Sequence, residues 1–142
     1  MRMIFVNLPV KDVQASRRFF SQLGFSINEQ FSGDSSVAVV IEENISVMLL
    51  AEAHFKQFIV GEIAEPSRGV EVLNCLSCSS RDEVKDLTQK ALAAGGTPWK
   101  DPQDHGWMFG WSFRDLDGHV WELAWMDPAG MQAAQETAEA SA

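Results

Sequence analysis

Basic residues and long apolar stretches are both scarce in this chain. Lysine and arginine together number 11 against 20 aspartates and glutamates, which gives a net charge of -9 and an isoelectric point near 4.6. An acidic surface repels nucleic acid and anionic membranes, so we expect neither as a partner. No apolar run approaches the roughly 20 residues that cross a membrane. The N-terminus lacks the long apolar region of a signal peptide, so we expect a cytoplasmic protein.

Cysteine is nearly absent as well. Only Cys75 and Cys78 occur, and residues three positions apart point to opposite faces of a strand. The pair is therefore expected neither to form a disulfide nor to hold one metal ion together, despite its C-x-x-C spacing. The chain also contains no nucleophile elbow, phosphate loop or dinucleotide fingerprint.

The chain does contain one pattern of elements, written twice. In each copy a strand precedes a helix, and three strands follow it. Asp12 caps the first helix and Gly24 ends it, whereas Ser80 and Glu83 form a capping box before a second helix that ends at Gly95. The predicted strands are residues 3–8, 25–31, 37–42 and 45–50 in the first copy, and 70–78, 97–100, 107–114 and 120–125 in the second.

Two segments fall outside the repeated pattern. Residues 52–69 join the copies, and we interpret them as a linker with a short helix, the alternative being a lid over a pocket. Residues 128–142 are rich in alanine and have no bulky apolar stripe, so we expect a loose tail there. At 46% hydrophobic residues, the chain can form one packed domain over residues 1–127, with modules at about 1–51 and 70–127.

The last two predicted strands meet at a tight turn, and the second of them carries the clearest candidate for chemistry. Residues 115–118 suit a type I turn. Beyond it the bulky apolar residues fall on one strand face, whereas Glu122 lies between Val120 and Ala124 on the other. A carboxylate among small and apolar neighbours is a candidate acid, base or ligand-binding group. An exposed edge-strand glutamate is the plainer alternative.

This hairpin resembles the last hairpin of the vicinal oxygen chelate superfamily, which includes glyoxalase I, bleomycin and fosfomycin resistance proteins, and extradiol dioxygenases. The matching residues are Phe113, Asp115, Asp117, Gly118 and Glu122, with Leu116 where proline is usual. The resemblance covers about residues 1–127 and implies an α+β fold, in which two paired βαβββ modules curl around a shared cup with the helices outside. Residues 5–12 and 115–127 are similar to a bacterial group usually labelled predicted lactoylglutathione lyases.

The resemblance also implies a divalent ion, Zn, Ni, Fe or Mn, held by one ligand from each of four strands. The corresponding positions here are Phe5, Met48, Leu73 and Glu122. Three of these side chains cannot coordinate such an ion. Moving the register by two residues offers only Asn7 and Cys75. We therefore predict a cup without metal or other cofactor, with Glu122 as the candidate catalytic residue. The predicted ligand-binding residues are Phe5, Asn7, Met48, Leu73 and Cys75.

Three further residues are candidates for the mouth of the same site. His105 lies in a polar loop beside Trp107, from which it can reach a pocket. Trp107 begins a series of alternating aromatic residues that indicates either core packing or a ligand-stacking wall. Arg114 can bind a substrate carboxylate, and a salt bridge with Asp115 or Asp117 is an equal alternative.

Two functions follow from the resemblance. The first is a metal-free binding module that holds a small organic molecule, as bleomycin resistance proteins do by sequestration. The second is an enzyme, either a lactoylglutathione lyase-like isomerase or a metal-free relative that uses Glu122 as acid or base. The incomplete ligand set favours binding. Dimers are common in the superfamily, so the resemblance also implies a possible homodimer.

Overall fold

The computed structural model describes residues 1–141; Ala142, the last residue of the predicted tail, lies outside them. Contacts between residues divide the chain into two compact units, Met1–Gly69 and Val70–Ala142. Each unit contains one sheet with both parallel and antiparallel strand pairs. The predicted α+β fold class is confirmed, and each unit follows the predicted order of one strand, one helix and further strands. Residues 52–69, predicted as a linker, fall within the first unit.

The first unit is built around a four-stranded sheet. Its elements are strand β1 (Ile4–Val10), helix α1 (Val13–Gln22), and strands β2 (Ser26–Ile27), β3 (Ser36–Glu42) and β4 (Ile45–Ala51), followed by the short helix α2 (Glu52–Phe55). The strand order is β1-β4-β3-β2, with β1 parallel to β4 and the other pairs antiparallel. The first strand therefore lies at one edge, beside the last strand of the unit.

Helix α1 forms where its caps and apolar stripe predict it. The Asp12 side chain accepts a hydrogen bond from the Ala15 amide at 3.0 Å, which satisfies a donor of the first turn. The helix buries Val13, Phe19 and Phe20 and packs on β3 and β4.

Two predicted strand limits in the first unit are wrong. Strand β1 does not stop at Pro9 but continues to Val10. An edge strand pairs on one side only, so it tolerates a residue without an amide hydrogen. The predicted strand 25–31 shrinks to two residues, because the Asn28 side chain accepts a hydrogen bond from the Gln30 amide and starts a 3-10 turn over Glu29–Phe31.

The second unit repeats the arrangement with one extra strand. Its elements are strand β5 (Leu73–Ser77), helix α3 (Arg81–Ala93), strands β6 (Thr97–Pro98), β7 (Gln103–Asp104), β8 (Met108–Arg114) and β9 (Val120–Met126), and helix α4 (Pro128–Ser141). The strand order is β5-β9-β8-β6, with β7 also pairing with β8, and β5 runs parallel to β9. Strand β7 lies in a segment that the sequence predicts as a loop, and β5 is shorter than the predicted strand 70–78.

Helix α3 begins with the predicted exchange of hydrogen bonds, shifted by one residue. The Ser80 hydroxyl accepts from the Glu83 amide at 3.1 Å, and the Glu83 carboxylate accepts from the Ser79 amide at 3.2 Å. The helix buries Val84 and Ala91 and packs on β8 and β9. It therefore covers one face of the second sheet.

The tail is a helix where the sequence predicts loose chain. Alanine has the highest helix propensity of the amino acids, and the Asp127 carboxylate accepts a hydrogen bond from the Ala129 amide at the helix start. The Asp127 amide also donates to the Trp107 carbonyl at 2.7 Å, which joins the start of α4 to the residue that precedes β8. Within residues 1–141, no helix is long and apolar enough to cross a membrane.

Candidate functional site

Helix α3 covers one face of the second sheet, and the opposite face, which we call the open face, carries Glu122 together with the buried residues Ser112 and Val120. Phe109 and Phe113 are 6% and 2% exposed and share a face with Trp121, which is 2% exposed. Arg81 of α3 stacks over Phe109, so this is the face that α3 covers. For Phe109 and Phe113, core packing is the correct reading of the aromatic series. Glu122 belongs to the opposite, open face because strand residues alternate.

A cavity of about 330 Å³ lies against the open face, within the size range of small-molecule sites. Glycine and alanine form part of its floor, at Gly110 and Ala124, which are cross-strand partners. The segment before β8 supplies its polar wall. The lining residues are Cys75, Lys100, Asp101, Gln103, Met108, Gly110, Trp111, Ser112, Glu122, Leu123, Ala124 and Met126.

Glu122 lies at the centre of three adjacent strands. Its cross-strand partners are Cys75 on β5 and Ser112 on β8. Glu122 is half-buried, and within the described residues its carboxylate makes no hydrogen bond or ion pair. The carboxylate is therefore available to a ligand in the cavity.

The two cysteines are free thiols with different surroundings. Cys75 is exposed as a residue, yet the protein around its thiol raises the pKa by desolvation, and the Glu122 carboxylate raises it further. Burial raises the pKa of Cys78 to about 12, with the Glu83 carboxylate adding to the effect. Both thiols are therefore protonated at neutral pH.

An ion pair fixes the segment that forms the cavity wall. Arg81 donates to both carboxylate oxygens of Asp104, at 2.8 and 3.0 Å, and to the Gly106 carbonyl at 2.6 Å. The same guanidinium lies 5.5 Å from the ring centroid of Phe109 and 5.1 Å from that of Trp125. The Arg81 hydrogen bonds, aided by the Gly106 amide, lower the pKa of Asp104 to about 2.

Asp115 organises the turn before Glu122. One carboxylate oxygen accepts from the amides of Asp117 and His119, both at 3.0 Å, and the other accepts from the Trp121 indole at 2.9 Å. Asp115 is 5% exposed, and burial raises its pKa even though His119 and these hydrogen bonds act in the opposite direction. This residue thereby fixes the start of the strand that presents Glu122.

Arg114 extends the open face beyond the cavity. Its guanidinium carbon lies 4.4 Å from the centroid of the Trp99 ring. Its Nε atom is buried and has no hydrogen-bond partner among the described residues. The alternative of a salt bridge with Asp115 or Asp117 is not formed within the described part of the chain.

The other predicted site residues lie outside the cavity. His105 is exposed in the turn between β7 and β8, with its ring 6.5 Å from that of Trp107. Trp107 packs against the start of α4, and a Cβ atom at Gly130 would lie 2.4 Å from the Trp107 Cβ. Leu73 is exposed on β5, on the same face as Cys75. The structure therefore brings only Cys75 and Glu122 of the predicted set into the cavity.

Three predicted site residues belong to the first unit. Phe5 and Asn7 share one face of β1, and Met48 on β4 is the cross-strand partner of Asn7. The side-chain amide of Asn7 donates through Nδ2 to the Phe5 carbonyl at 3.2 Å, and Phe5 is 55% exposed. A role for these three residues in ligand binding stays a prediction.

Comparison with known proteins gives this arrangement a family. A sequence profile of the Glyoxalase/Bleomycin resistance protein/Dioxygenase superfamily matches residues 2–123. The chain belongs to this superfamily. The resemblance predicted from the last hairpin is thus confirmed, whereas its narrower assignment to predicted lactoylglutathione lyases stays a prediction. No curated protein is similar enough in sequence to match the chain.

Solved structures support the superfamily fold. Hypothetical protein SA1046 from S. aureus is 29% identical, with a TM-score of 0.75 over 87% of this chain and 93% of that one. A superfamily enzyme from Burkholderia phytofirmans PsJN is 20% identical, with a TM-score of 0.73 over 89% and 99% of the two chains. The fosfomycin resistance protein FosX from Listeria monocytogenes is 18% identical, with a TM-score of 0.61 over 88% and 93%. At these lower identities, the last two show the fold alone.

The divalent ion implied by the superfamily does not fit the donors present. Within residues 1–141, no three His, Cys, Asp or Glu side chains are grouped so that they could hold a metal ion. Beside Glu122 the only adjacent donor of these types on a neighbouring strand is Cys75, and its raised pKa favours the thiol over the thiolate that binds metals.

The sequence-based prediction missed most of the cavity wall. Ser112 and Gly110 face the cavity because they pair with Glu122 and Ala124 across β8 and β9. The alternation of the two predicted strands could have placed them on the open face. Gln103 carries no comparable signal, because it belongs to β7, which pairs with β8 in a segment that the sequence predicts as a loop.

Proposed function

We propose that this superfamily member binds a small organic molecule in the cavity of its second unit, without a metal ion. The observation that carries the proposal is the cavity itself, with small residues on its floor and Glu122 unpaired beside it. A floor of Gly110 and Ala124 leaves room for an apolar ligand body, and a few polar groups at the edge can orient it. The mismatch between donors and metal supports the same proposal.

A pair of leucine substitutions tests the position of the site. Ala124→Leu places a larger side chain in the cavity, whereas Ser77→Leu introduces the same side chain on the adjacent strand, outside the lining. A library of small organic fragments is screened by ligand-observed NMR against the parent and both variants. We expect fragments that bind the parent and Ser77→Leu and lose binding to Ala124→Leu. Equal binding to all three proteins, or no binding to the parent, refutes the proposal.

The absence of metal is proposed on chemical grounds and is tested separately. Metal analysis of the purified protein should find less than one Zn, Ni, Fe or Mn per chain, and titration with Ni or Zn should show no saturable site. One tightly bound ion per chain that Glu122→Gln releases contradicts the proposal, because it requires a group of ligands not found within residues 1–141.

A second candidate function is an enzyme that uses Glu122 as acid or base. The unpaired carboxylate favours it, because a general acid or base must be free to exchange a proton with the substrate. The assay is isomerisation of the hemithioacetal of methylglyoxal and glutathione, before and after addition of Ni or Zn. Turnover that disappears in Glu122→Gln supports this alternative, and no turnover in either condition removes the lactoylglutathione lyase reading.

We further propose that two copies of the chain associate. Strands β1 and β5 are edge strands of their sheets, and both expose large apolar side chains, with Phe5 at 55% and Leu73 at 51%. Exposed apolar edges promote association between chains. Light scattering after size exclusion measures the mass directly, and a monomer at micromolar concentration contradicts the proposal.

The net negative charge still predicts that the protein does not bind nucleic acid.

A further inference from the structure

Among the described residues, Arg114 is a cation that stacks on an aromatic ring and forms no ion pair. Trp99 supports one face of the guanidinium, and no carboxylate among the described residues pairs with it. The buried Nε has no acceptor within this part of the chain. Buried donors in folded proteins nearly always have an acceptor, so the unpaired Nε indicates a place where an acceptor binds.

Glu122 and Arg114 lie on the same face of the same sheet. Arg114 pairs with Val120, and Glu122 follows Val120 by two positions, so the two charged residues are diagonal neighbours across β8 and β9. Diagonal neighbours of this kind are about 7–8 Å apart. Ser112 lies between them, two residues from Arg114 and directly opposite Glu122. Within the described residues, this face therefore carries a cation and a carboxylate that form no ion pair and occupy diagonal positions.

We propose that the ligand is a small zwitterion, with its anionic group on Arg114 and its ammonium group on Glu122. This inference rests on the proposed function and specifies its ligand class. A planar guanidinium stacked on an indole offers parallel N–H donors to a carboxylate or phosphonate. A second anionic group would be repelled by Glu122, whereas an ammonium group would be attracted. The carbon chain between the two charges would lie over Ser112 and Val120, which separate Arg114 from Glu122 on this face.

The spacing of the two charged residues predicts the length of the ligand. The backbone positions of the two residues are about 7–8 Å apart, and glycine carries its carboxylate and ammonium on one carbon, so we expect longer compounds to contact both side chains more readily. The probes are therefore glycine, β-alanine, γ-aminobutyrate and δ-aminovalerate, which differ only in chain length. Calorimetric titration should show affinity rising from glycine to the two longer compounds. Butyrate and butylamine, which each lack one charge, should bind about ten- to hundredfold more weakly than γ-aminobutyrate.

Two conservative variants assign the charges, each with a matched control. Arg114→Gln should weaken γ-aminobutyrate about ten- to hundredfold, whereas Arg18→Gln, at an exposed arginine of the first unit, should have no effect. Glu122→Gln keeps its shape and should remove the preference for γ-aminobutyrate over butyrate, whereas Glu71→Gln at an exposed position should preserve it. Thermal unfolding verifies that each variant is folded, and Glu122→Gln still tests the inference if Arg114→Gln is not.

The outcomes separate this inference from the proposed function. One outcome is that uncharged fragments bind the parent and not Ala124→Leu, while γ-aminobutyrate binds no better than butyrate. In that case the proposal of a zwitterionic ligand is wrong, and the proposed binding site stands. If Arg114→Gln binds γ-aminobutyrate as tightly as the parent, the anion does not bind at Arg114 and the inference fails. If neither fragments nor amino acids bind the parent protein, both proposals fail.

Discussion

The sharpest structural prediction concerns the Asp115 side chain, which accepts three hydrogen bonds, one of them buried. Asp115→Asn keeps one oxygen, so the amide can still accept from the backbone of Asp117 and His119. Its second oxygen becomes an NH2 group that faces the indole N–H of Trp121, formerly 2.9 Å from a carboxylate oxygen. Two donors then point at each other in the core. Reversing the amide would lose the two backbone bonds instead.

The cost follows from the value of a buried donor without an acceptor, about 1–3 kcal/mol. We therefore expect Asp115→Asn to lower the free energy of unfolding by about 2 kcal/mol. Asp115→Ala abandons all three donors, but two of them belong to a turn that water partly reaches, so we expect about 4 kcal/mol rather than three full penalties. Asp34→Asn, at an exposed aspartate, should change stability by less than about 0.5 kcal/mol.

Urea unfolding followed by tryptophan fluorescence measures these differences. A double-mutant cycle with Trp121→Phe isolates the indole contact, because phenylalanine removes the N–H that opposes the new amide. Asp115→Asn should therefore cost at least about 1 kcal/mol less in the Trp121→Phe protein. Additive effects, or an Asp115→Asn protein as stable as its parent, would falsify the reasoning.

The pH dependence gives an independent reading of the same residue. The folded pKa of Asp115 is raised above its ordinary value of 3.8, mainly by burial. The folded state therefore holds the proton more tightly than the unfolded state, and this residue's contribution to stability falls as the pH rises from 3.8 through the folded pKa. The stability advantage of the parent over Asp115→Asn should be largest in acid and smaller at neutral pH. A constant difference contradicts the raised pKa.

Three further predictions concern the cavity wall, the thiols and the tail. Arg81→Met should speed amide hydrogen exchange in residues 101–107, and unchanged exchange would show that Arg81 does not hold the segment. In the parent, the ion pair's contribution to stability should be present above pH 3.8 and disappear as the pH falls through about 2, the lowered pKa of Asp104. Iodoacetamide should label Cys75 before Cys78, since the pKa of Cys78 is raised to about 12, and faster labelling of Cys78 contradicts this order. Glu122→Gln should accelerate labelling of Cys75, because it removes a negative charge that raises the pKa of the Cys75 thiol. Gly130→Ala places a Cβ atom 2.4 Å from the Trp107 Cβ, so it should displace the first turn of α4 and reduce the protection of its amides from exchange. Ala129→Gly is the control for helix propensity, and full protection in Gly130→Ala refutes the contact.

The fold was largely predictable because local signals and long-range pairing agree. Asp12 and Ser80 cap helices α1 and α3 as their sequence positions predict, and the first and last strands of each unit pair in parallel. The errors arise where a local signal competes with its context. Proline ends most strands, but Pro9 is tolerated because β1 lies at the edge of its sheet. The Asn28 side chain accepts a hydrogen bond from the Gln30 amide, which a continued strand would have used for pairing.

The tail and the turn show what composition alone leaves undecided. A segment without an apolar stripe has nothing to bury, so loose chain was the natural expectation for residues 128–142. High alanine propensity and the Asp127 cap form a helix there without burial. The turn motif likewise predicts Asp115 as a turn residue, but only the fold reveals that its second oxygen accepts from Trp121.

The candidate site was predictable at its centre and not at its wall. Alternation along one strand was enough to place Glu122 opposite the core-facing aromatic residues, and the superfamily resemblance proposed Cys75 for the same site, where the structure pairs it with Glu122. The wall depends on Arg81, whose contact with Asp104 joins residues 23 positions apart, and no periodicity in the sequence carries such a signal. Arg114 is the intermediate case. Its position on the open face follows from alternation, but its stacking on Trp99 depends on the short pairing of β6 with β8. The pairing register of β8 and β9 thus places the two charged side chains that would select a ligand. The groups that support them are positioned by contacts between residues distant in sequence.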